Sequence, residues 1–154
     1  MRSRTAEWFI CDIRYEKVME DGLQKKVKEP YVVDALSFSE AEERIIEEMG
    51  SYISGEFDVQ EIDRAPFKEI FFSDDEMADK WYKAKLQFIT IDEKTDKEKK
   101  TNVIYLVQAG SFDGARRNID EVMGGTMIDY RIAAVSETNI MDVFEYVTNK
   151  TKEQ

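Results

Sequence analysis

The sequence contains no histidine and a single cysteine, Cys11, among its 154 residues. The absence of histidine removes the commonest general base, the commonest zinc ligand and every histidine-based catalytic triad. One cysteine cannot form an intramolecular disulfide or a thiolate metal cluster, and sparing use of cysteine is typical of a reducing compartment. Since no catalytic motif stands out either, we expect a non-enzymatic protein with no catalytic residues, no metal site and no cofactor.

Long apolar segments are also missing. No run approaches the roughly 20 apolar residues that a membrane helix requires, and charged residues interrupt the apolar stretch near the N-terminus, unlike in a signal peptide. Hydrophobic residues make up 42% of the chain, aromatic residues 12% and charged residues 36%. These proportions are enough for a buried core under a charged surface. We therefore expect a cytoplasmic protein without membrane contact.

The chain has fewer positively charged residues, 22 Lys and Arg, than negatively charged ones, 33 Asp and Glu, and its formal net charge is −11. This balance argues against non-specific binding to double-stranded DNA, which depends on neutralising phosphates. The charge is uneven, because residues 1–76 hold 10 Lys and Arg against 20 Asp and Glu, whereas residues 77–154 hold 12 against 13. An anionic partner would therefore prefer the second half. The first half is suited to act as an acidic mimic that blocks a basic partner.

What the sequence does contain is a repeat, in which residues 8–72 match residues 81–145. Trp8 and Phe71 match Trp81 and Phe144 at a spacing of 73 residues. Ten further residues match at a spacing of 74: Tyr31, Val33, Ala35, Ser37, Phe38, Ala41, Ile45, Glu47, Met49 and Gly50. Self-similarity over a whole supersecondary unit indicates that one fold unit occurs twice.

Each repeat predicts a strand, a second strand, a helix, a third strand and a short closing helix. Apolar residues alternate in the first strand, as in Phe9, Cys11 and Ile13, which is typical of a half-buried strand. Ser37, three residues before Glu40, predicts the start of the helix, because a Ser hydroxyl accepts a hydrogen bond from a free amide there. The crossover helix favours a third strand parallel to the second, with the first strand between them.

These elements predict an α+β fold with mostly antiparallel sheet, helices on one face and an internal pseudo-two-fold axis. We place the first repeat at residues 1–72, a polar linker at 73–80, the second repeat at 81–148 and a frayed tail at 149–154. A unit of about 65 residues is marginal alone. The two repeats are therefore expected to form one compact domain.

The two tryptophans alternate onto the strand face opposite to the core, where two interpretations stay open. In the first, large side chains meet at a seam between the repeats, formed by Trp8, Trp81, Phe71 and Phe144. In the second, a tryptophan stacks on a base while lysines contact phosphates, as in proteins that bind single-stranded nucleic acid or nucleotides. The residues of that candidate site are Trp81, Lys83, Lys85, Lys97, Lys99 and Lys100.

Several stretches carry a family resemblance. They are WFICDIRYEK at 8–17, EPYVVDALSFSEAE at 29–42, ISGEF at 53–57, WYK at 81–83, VQA at 107–109 and IMDVF at 140–144. Together they resemble a family of small proteins of unknown function from Bacteroidetes and their phages and mobile elements. The resemblance spans most of residues 8–146. It implies a cytoplasmic bacterial or phage protein and assigns no catalytic or binding residues.

The leading hypothesis is a binding or assembly module that acts through contacts with a protein partner. Binding of single-stranded nucleic acid or a nucleotide through the second repeat is the alternative, and an acidic mimic is the weaker one. The mobile-element setting favours either an accessory to nucleic-acid processing or a protein that blocks a host component.

Overall fold

The computed structural model describes residues 1–146, in which the chain forms nine strands and two helices. In chain order they are β1 (Arg2–Arg4), β2 (Trp8–Val18), β3 (Gln24–Asp34), α1 (Phe38–Tyr52), β4 (Phe57–Arg64), β5 (Glu69–Phe72), β6 (Lys80–Ile91), β7 (Glu98–Ala109), α2 (Phe112–Gly124), β8 (Tyr130–Glu137) and β9 (Asp142–Phe144).

The strands form two mixed sheets that are mostly antiparallel, so the predicted α+β class is confirmed. One sheet has the order β4-β2-β3-β9, and the other has the order β1-β5-β7-β6-β8. In both, the first strand of the repeat lies between the other two and pairs antiparallel with each. The third strand is therefore parallel to the second, as the crossover predicted.

The prediction of a short closing helix in each repeat is wrong, because both segments are strands. β5 pairs in parallel with β7, and β9 pairs in parallel with β3. Each closing strand thus joins the sheet built from the other repeat. A spacing such as that of Phe67, Ile70 and Phe71 fits a helical turn and a short strand about equally well. Here both segments form strands because each pairs with a strand that is distant in the sequence.

The chain divides into two compact units whose boundaries differ from those of the repeats. Among the described residues, the α1 unit comprises Glu7–Ala65 and 139–146, and the α2 unit comprises Met1–Ala6 and Pro66–Thr138. The segment 73–80, expected to be a linker, lies within the α2 unit. The tail expected at 149–154, and the end of the expected second repeat, lie outside the described residues.

One helix covers one face of each sheet and buries an apolar core there. The core of the α1 unit consists of Phe9, Cys11, Ile13, Tyr31, Val33, Ala35, Ala41, Ile45, Met49 and Phe144. The core of the α2 unit consists of Phe71, Tyr82, Ala84, Leu86, Tyr105, Val107, Ala109, Ala115, Ile119 and Met123. Within residues 1–146, no helix has the length and apolar character needed to cross a membrane.

Each helix is capped by a serine, which is Ser37 in α1, as predicted, and the matching Ser111 in α2. The Ser37 hydroxyl accepts a hydrogen bond from the Glu40 amide at 3.1 Å, and the Ser111 hydroxyl accepts one from the Gly114 amide at 3.0 Å. The Glu40 carboxylate also accepts from the amide of Leu36 at 3.3 Å. Because Gly114 has no such carboxylate, α2 begins with one hydrogen bond fewer of this kind.

Candidate functional site

The residue at the centre of the nucleic-acid hypothesis is buried. Trp81 is only 3% exposed, and its ring packs edge-on against Phe72 with the ring centroids 5.8 Å apart. A base must reach an aromatic face in order to stack on it. The burial of Trp81 therefore removes the stacking surface that this hypothesis requires.

The five candidate lysines are exposed, but they are spread along the β6–β7 hairpin. Lys100 pairs with Ile89 near the hairpin turn, and Lys83 lies six residues before Ile89 on the same strand. At ~3.3 Å per residue, these two lysines are about 20 Å apart. Lys99 faces the opposite side of the sheet from Lys100, because neighbouring strand residues alternate. The lysines therefore do not form a single patch.

The four residues predicted to form the seam are all buried. Phe71 lies in the core of the α2 unit, and Phe144 lies in the core of the α1 unit, where its ring stacks on Tyr31 at 5.8 Å. Trp8 is 2% exposed on the sheet face opposite to α1. Two of the four thus belong to the cores under the helices, and a common seam stays a prediction.

A polar cluster distinguishes the α1 unit from the α2 unit. The Tyr15 hydroxyl donates a hydrogen bond to Glu29 at 2.5 Å, the Tyr31 hydroxyl lies 3.5 Å from the same oxygen, and the Lys17 ammonium is 3.6 Å from the other. Burial and the bond to Glu29 raise the pKa of Tyr15 to about 12. The Glu29 carboxylate therefore already has three partners from its own unit. We interpret the cluster as a structural contact within the α1 unit.

A buried ion pair holds α1 on its sheet. The Arg44 guanidinium donates to the backbone carbonyl and to the carboxylate of Asp34, at 2.6 Å each, and lies 3.8 Å from Glu48. The Asp34 carboxylate also accepts from the amide of Tyr146 at 2.8 Å. Both charged side chains of the pair are at least nine-tenths buried. Asp34 thereby connects the helix to the chain that follows β9.

The α2 unit makes the matching contacts without charge. The Asn118 side chain donates to the backbone carbonyl of Gln108 at 2.9 Å, and the side-chain oxygen of Gln108 accepts from the amide of Ser73 at 2.9 Å. Asn118 and Gln108 correspond to Arg44 and Asp34 at a spacing of 74 residues, and Ser73 corresponds to Tyr146 at a spacing of 73. The same connection is therefore neutral in one unit and ionic in the other.

The cysteine offers no reactive thiol. Cys11 is fully buried under α1, and burial together with the nearby Asp12 charge raises its pKa to about 12. A neutral thiol is a poor nucleophile and a poor metal ligand. In the described part of the chain, no three Cys, Asp or Glu side chains are grouped so that they could hold a metal ion.

One partly apolar surface of the α1 unit is a groove between the start of α1 and strand β4. We call it the acidic groove, and its lining residues are Phe38, Ser39, Glu42, Val59, Gln60, Glu61 and Ile62. Phe38 is 46% exposed, and Val59 and Ile62 are half-buried. Glu42 and Glu61 also line it and are exposed, although the pairing of Glu61 with Asp12 places the Glu61 side chain on the sheet face away from α1. The groove therefore combines an apolar floor with negative charge.

The acidic groove runs along an open sheet edge. β4 is the last strand of its sheet, and no described residue forms a ladder with its outer side. Alternate backbone amides and carbonyls of such a strand point away from the sheet and are available for pairing. Gln60 is an extra residue in β4, because Val59 pairs with Ile13 while Glu61 pairs with Asp12. This bulge bends the edge at the middle of the groove.

The matching edge of the α2 unit keeps the apolar residues but changes the charges. In the repeat alignment, Phe38 corresponds to Phe112, Val59 to Ile132 and Ile62 to Val135. The acidic residues Glu42 and Asp58 correspond instead to Arg116 and Arg131, and Ser39 and Ile46 correspond to Asp113 and Asp120. The α1 edge is thus acidic, and the α2 edge carries both signs. Comparing charges at matched positions would have revealed this difference from the sequence.

Residues 7–146 match the family described as Domain of unknown function (DUF4494). The match covers most of the chain, so the protein belongs to this family. No curated protein and no solved structure matches the chain.

Proposed function

We propose that this member of DUF4494 is a non-enzymatic binding or assembly module that acts through contacts with another protein. The observation that carries the proposal is the acidic groove, where exposed and half-buried apolar side chains lie beside a sheet edge whose outer side pairs with no described residue. Proteins use sheet edges of this kind to bind extended segments of their partners. A bacterial or phage origin and a cytoplasmic location, which the family resemblance implies, are part of the proposal.

The state of the reactive side chains supports a binding role over a catalytic one. The Cys11 thiol is buried with a raised pKa, and the Tyr15 and Glu29 side chains are engaged with each other. Catalytic groups are usually exposed in a cleft, with a pKa close to the working pH. The Cys11 thiol and the Tyr15 hydroxyl, whose pKa values are both raised to about 12, do not have that character.

The charge of the surface supports a basic partner. Helix α1 carries five glutamates and one arginine, and that arginine, Arg44, is engaged in the buried ion pair with Asp34. The acidic-mimic alternative relies on the same charge and would act by competing with an anion for a basic protein. The nucleic-acid alternative loses support because Trp81 is buried.

The experiment is affinity capture from a nuclease-treated lysate of the source organism, with chemical crosslinking and mass spectrometry. We expect a protein to be retained in an amount comparable to the bait, with crosslinks to the α1 unit. Turnover of a nucleotide or phosphoester panel by the purified protein with added metal would contradict the proposal. Retention that disappears after nuclease treatment would favour the nucleic-acid alternative instead.

A further inference from the structure

We propose that the acidic groove binds a basic, extended segment of the partner, which adds to β4 as a further strand of the sheet. This inference rests on the proposed function and specifies its site and the chemistry of its partner. It predicts the side-chain pattern of the segment, because the two faces of β4 differ.

The helix-side face of β4 favours apolar side chains. Val59 and Ile62 pair with Ile13 and Cys11, which lie in the core under α1, so all four face the helix side. Phe38 lines the groove together with Val59 and Ile62, and its side chain is 46% exposed. An added strand directs every second side chain to the same side. Those side chains would enter the groove beside Phe38 and cover its floor.

The opposite face of β4 favours basic side chains. Asp58, Glu61 and Asp63 are exposed, and each lies on the face away from α1, as its pairing with β2 shows. Opposite charges on neighbouring strands attract, and like charges directly opposite each other repel. The intervening residues of the added strand should therefore be lysine or arginine. Asp58 already faces Arg14 of β2, whereas Glu61 and Asp63 face Asp12 and Ile10, so these last two carboxylates have no basic residue opposite them on β2. Arg64 lies on the helix-side face, 3.5 Å from Glu7 and with its guanidinium 5.3 Å from the Phe38 ring.

The same charges make the edge selective. Two acidic edges repel each other, which disfavours pairing between the β4 strands of two copies of the protein. In the α2 unit, the positions of Asp58, Glu61 and Asp63 are taken by Arg131, Ala134 and Ser136. That edge lacks the acidic face and serves as a template for a loss-of-binding variant.

The test is fluorescence anisotropy with a labelled seven-residue peptide that alternates lysine and valine. Two control peptides carry glutamate in place of lysine, or methyl groups on alternate backbone nitrogens. We expect saturable binding of the lysine peptide only, because the glutamate peptide is repelled and the methylated peptide cannot donate ladder hydrogen bonds. Amides of β4 should gain protection from hydrogen exchange when the lysine peptide binds.

The protein variant transplants the α2 residues as Glu61→Ala with Asp63→Ser, both at exposed positions. It should weaken binding of the lysine peptide at least tenfold. The matched control is Glu16→Ala with Glu20→Ser, which changes the net charge equally on the exposed β2–β3 hairpin of the same unit. The control should leave the affinity within about twofold.

Three results would overturn the inference. The first is that the transplant and control variants bind the lysine peptide with equal affinity. The second is that the methylated peptide binds as well as the lysine peptide. The third is that the protein self-associates and the transplant abolishes this, since a second copy would then be the occupant. Failure of this site is distinguishable from failure of the proposed function. If the transplant variant still captures the same partner from lysate, the protein binds a partner elsewhere and only the site is wrong.

Discussion

Replacing Arg44 by methionine should destabilise the protein more than any exposed substitution, because it leaves the buried Asp34 carboxylate without its guanidinium. Methionine keeps much of the apolar stem that packs beneath the helix, so the change is mainly electrostatic. The two side chains of the pair are 9% and 6% exposed, and Arg44 donates two hydrogen bonds of 2.6 Å.

The expected loss follows from this burial. Removing one partner of a buried ion pair costs about 3–5 kcal/mol. The lower end applies here, because the Tyr146 amide still donates to Asp34. A loss of about 3 kcal/mol corresponds to a fall in melting temperature of roughly 6–12 °C for a chain of this size. The neutral counterpart, Asn118→Ala, should cost only about 1 kcal/mol.

The assay is urea unfolding of the single variants Arg44→Met and Asp34→Asn and of the double variant. A neutral pair leaves no charge buried, so the double variant should be more stable than Arg44→Met alone. The reasoning is refuted if the double variant is the least stable of the three. A loss below about 1 kcal/mol for Arg44→Met would also refute it, because such a value is typical of a surface ion pair.

Three other outcomes are expected. Since the pKa of Cys11 is raised to about 12, its thiol should not react with a disulfide reagent at pH 8 until the protein is unfolded in guanidinium; rapid labelling of the native protein would contradict its burial. The folded protein holds the Tyr15 proton more tightly than the unfolded chain does, so this stabilisation is complete below pH 10 and is lost as the pH rises to about 12. Urea unfolding between pH 9 and 12 should therefore show a decline that is smaller in Tyr15→Phe, and an identical decline would count against the shift. Finally, Phe144→Ala should lower the unfolding free energy by about 3–5 kcal/mol, because Phe144 lies in the core of the α1 unit; unchanged hydrogen exchange of α1 amides would show that β9 does not stabilise that core.

The local elements could be predicted from the sequence because their signals are local. Alternation in Phe9, Cys11 and Ile13 marks a strand with one face buried, and Ser37 marks the first residue of a helix. The order of the three main strands followed from the crossover helix, which favours a third strand parallel to the second with the first strand between them. Each of these inferences uses residues that are close together in the sequence.

The closing strands could not be predicted in the same way. β9 has three residues, Asp142–Phe144, and it is a strand because it pairs with Tyr31, Val32 and Val33. A segment of this length has no periodicity of its own, and its partner is more than 100 residues away. Trp81 shows the same limit, since alternation places it opposite to α2 but does not reveal that this face is buried.

The exchange of closing strands has a consequence for the order of synthesis. The sheet of the α1 unit contains β2, β3 and β4 from the first half of the chain, yet its last strand, β9, is translated after every element of the α2 unit. Until then, the apolar edge of β3 at Tyr31–Val33 lacks its partner in the nascent chain. The α1 unit, whose three longer strands are translated before those of the α2 unit, is therefore completed last, and the unpaired edge of β3 is a surface that chaperones can bind while the second repeat is synthesised.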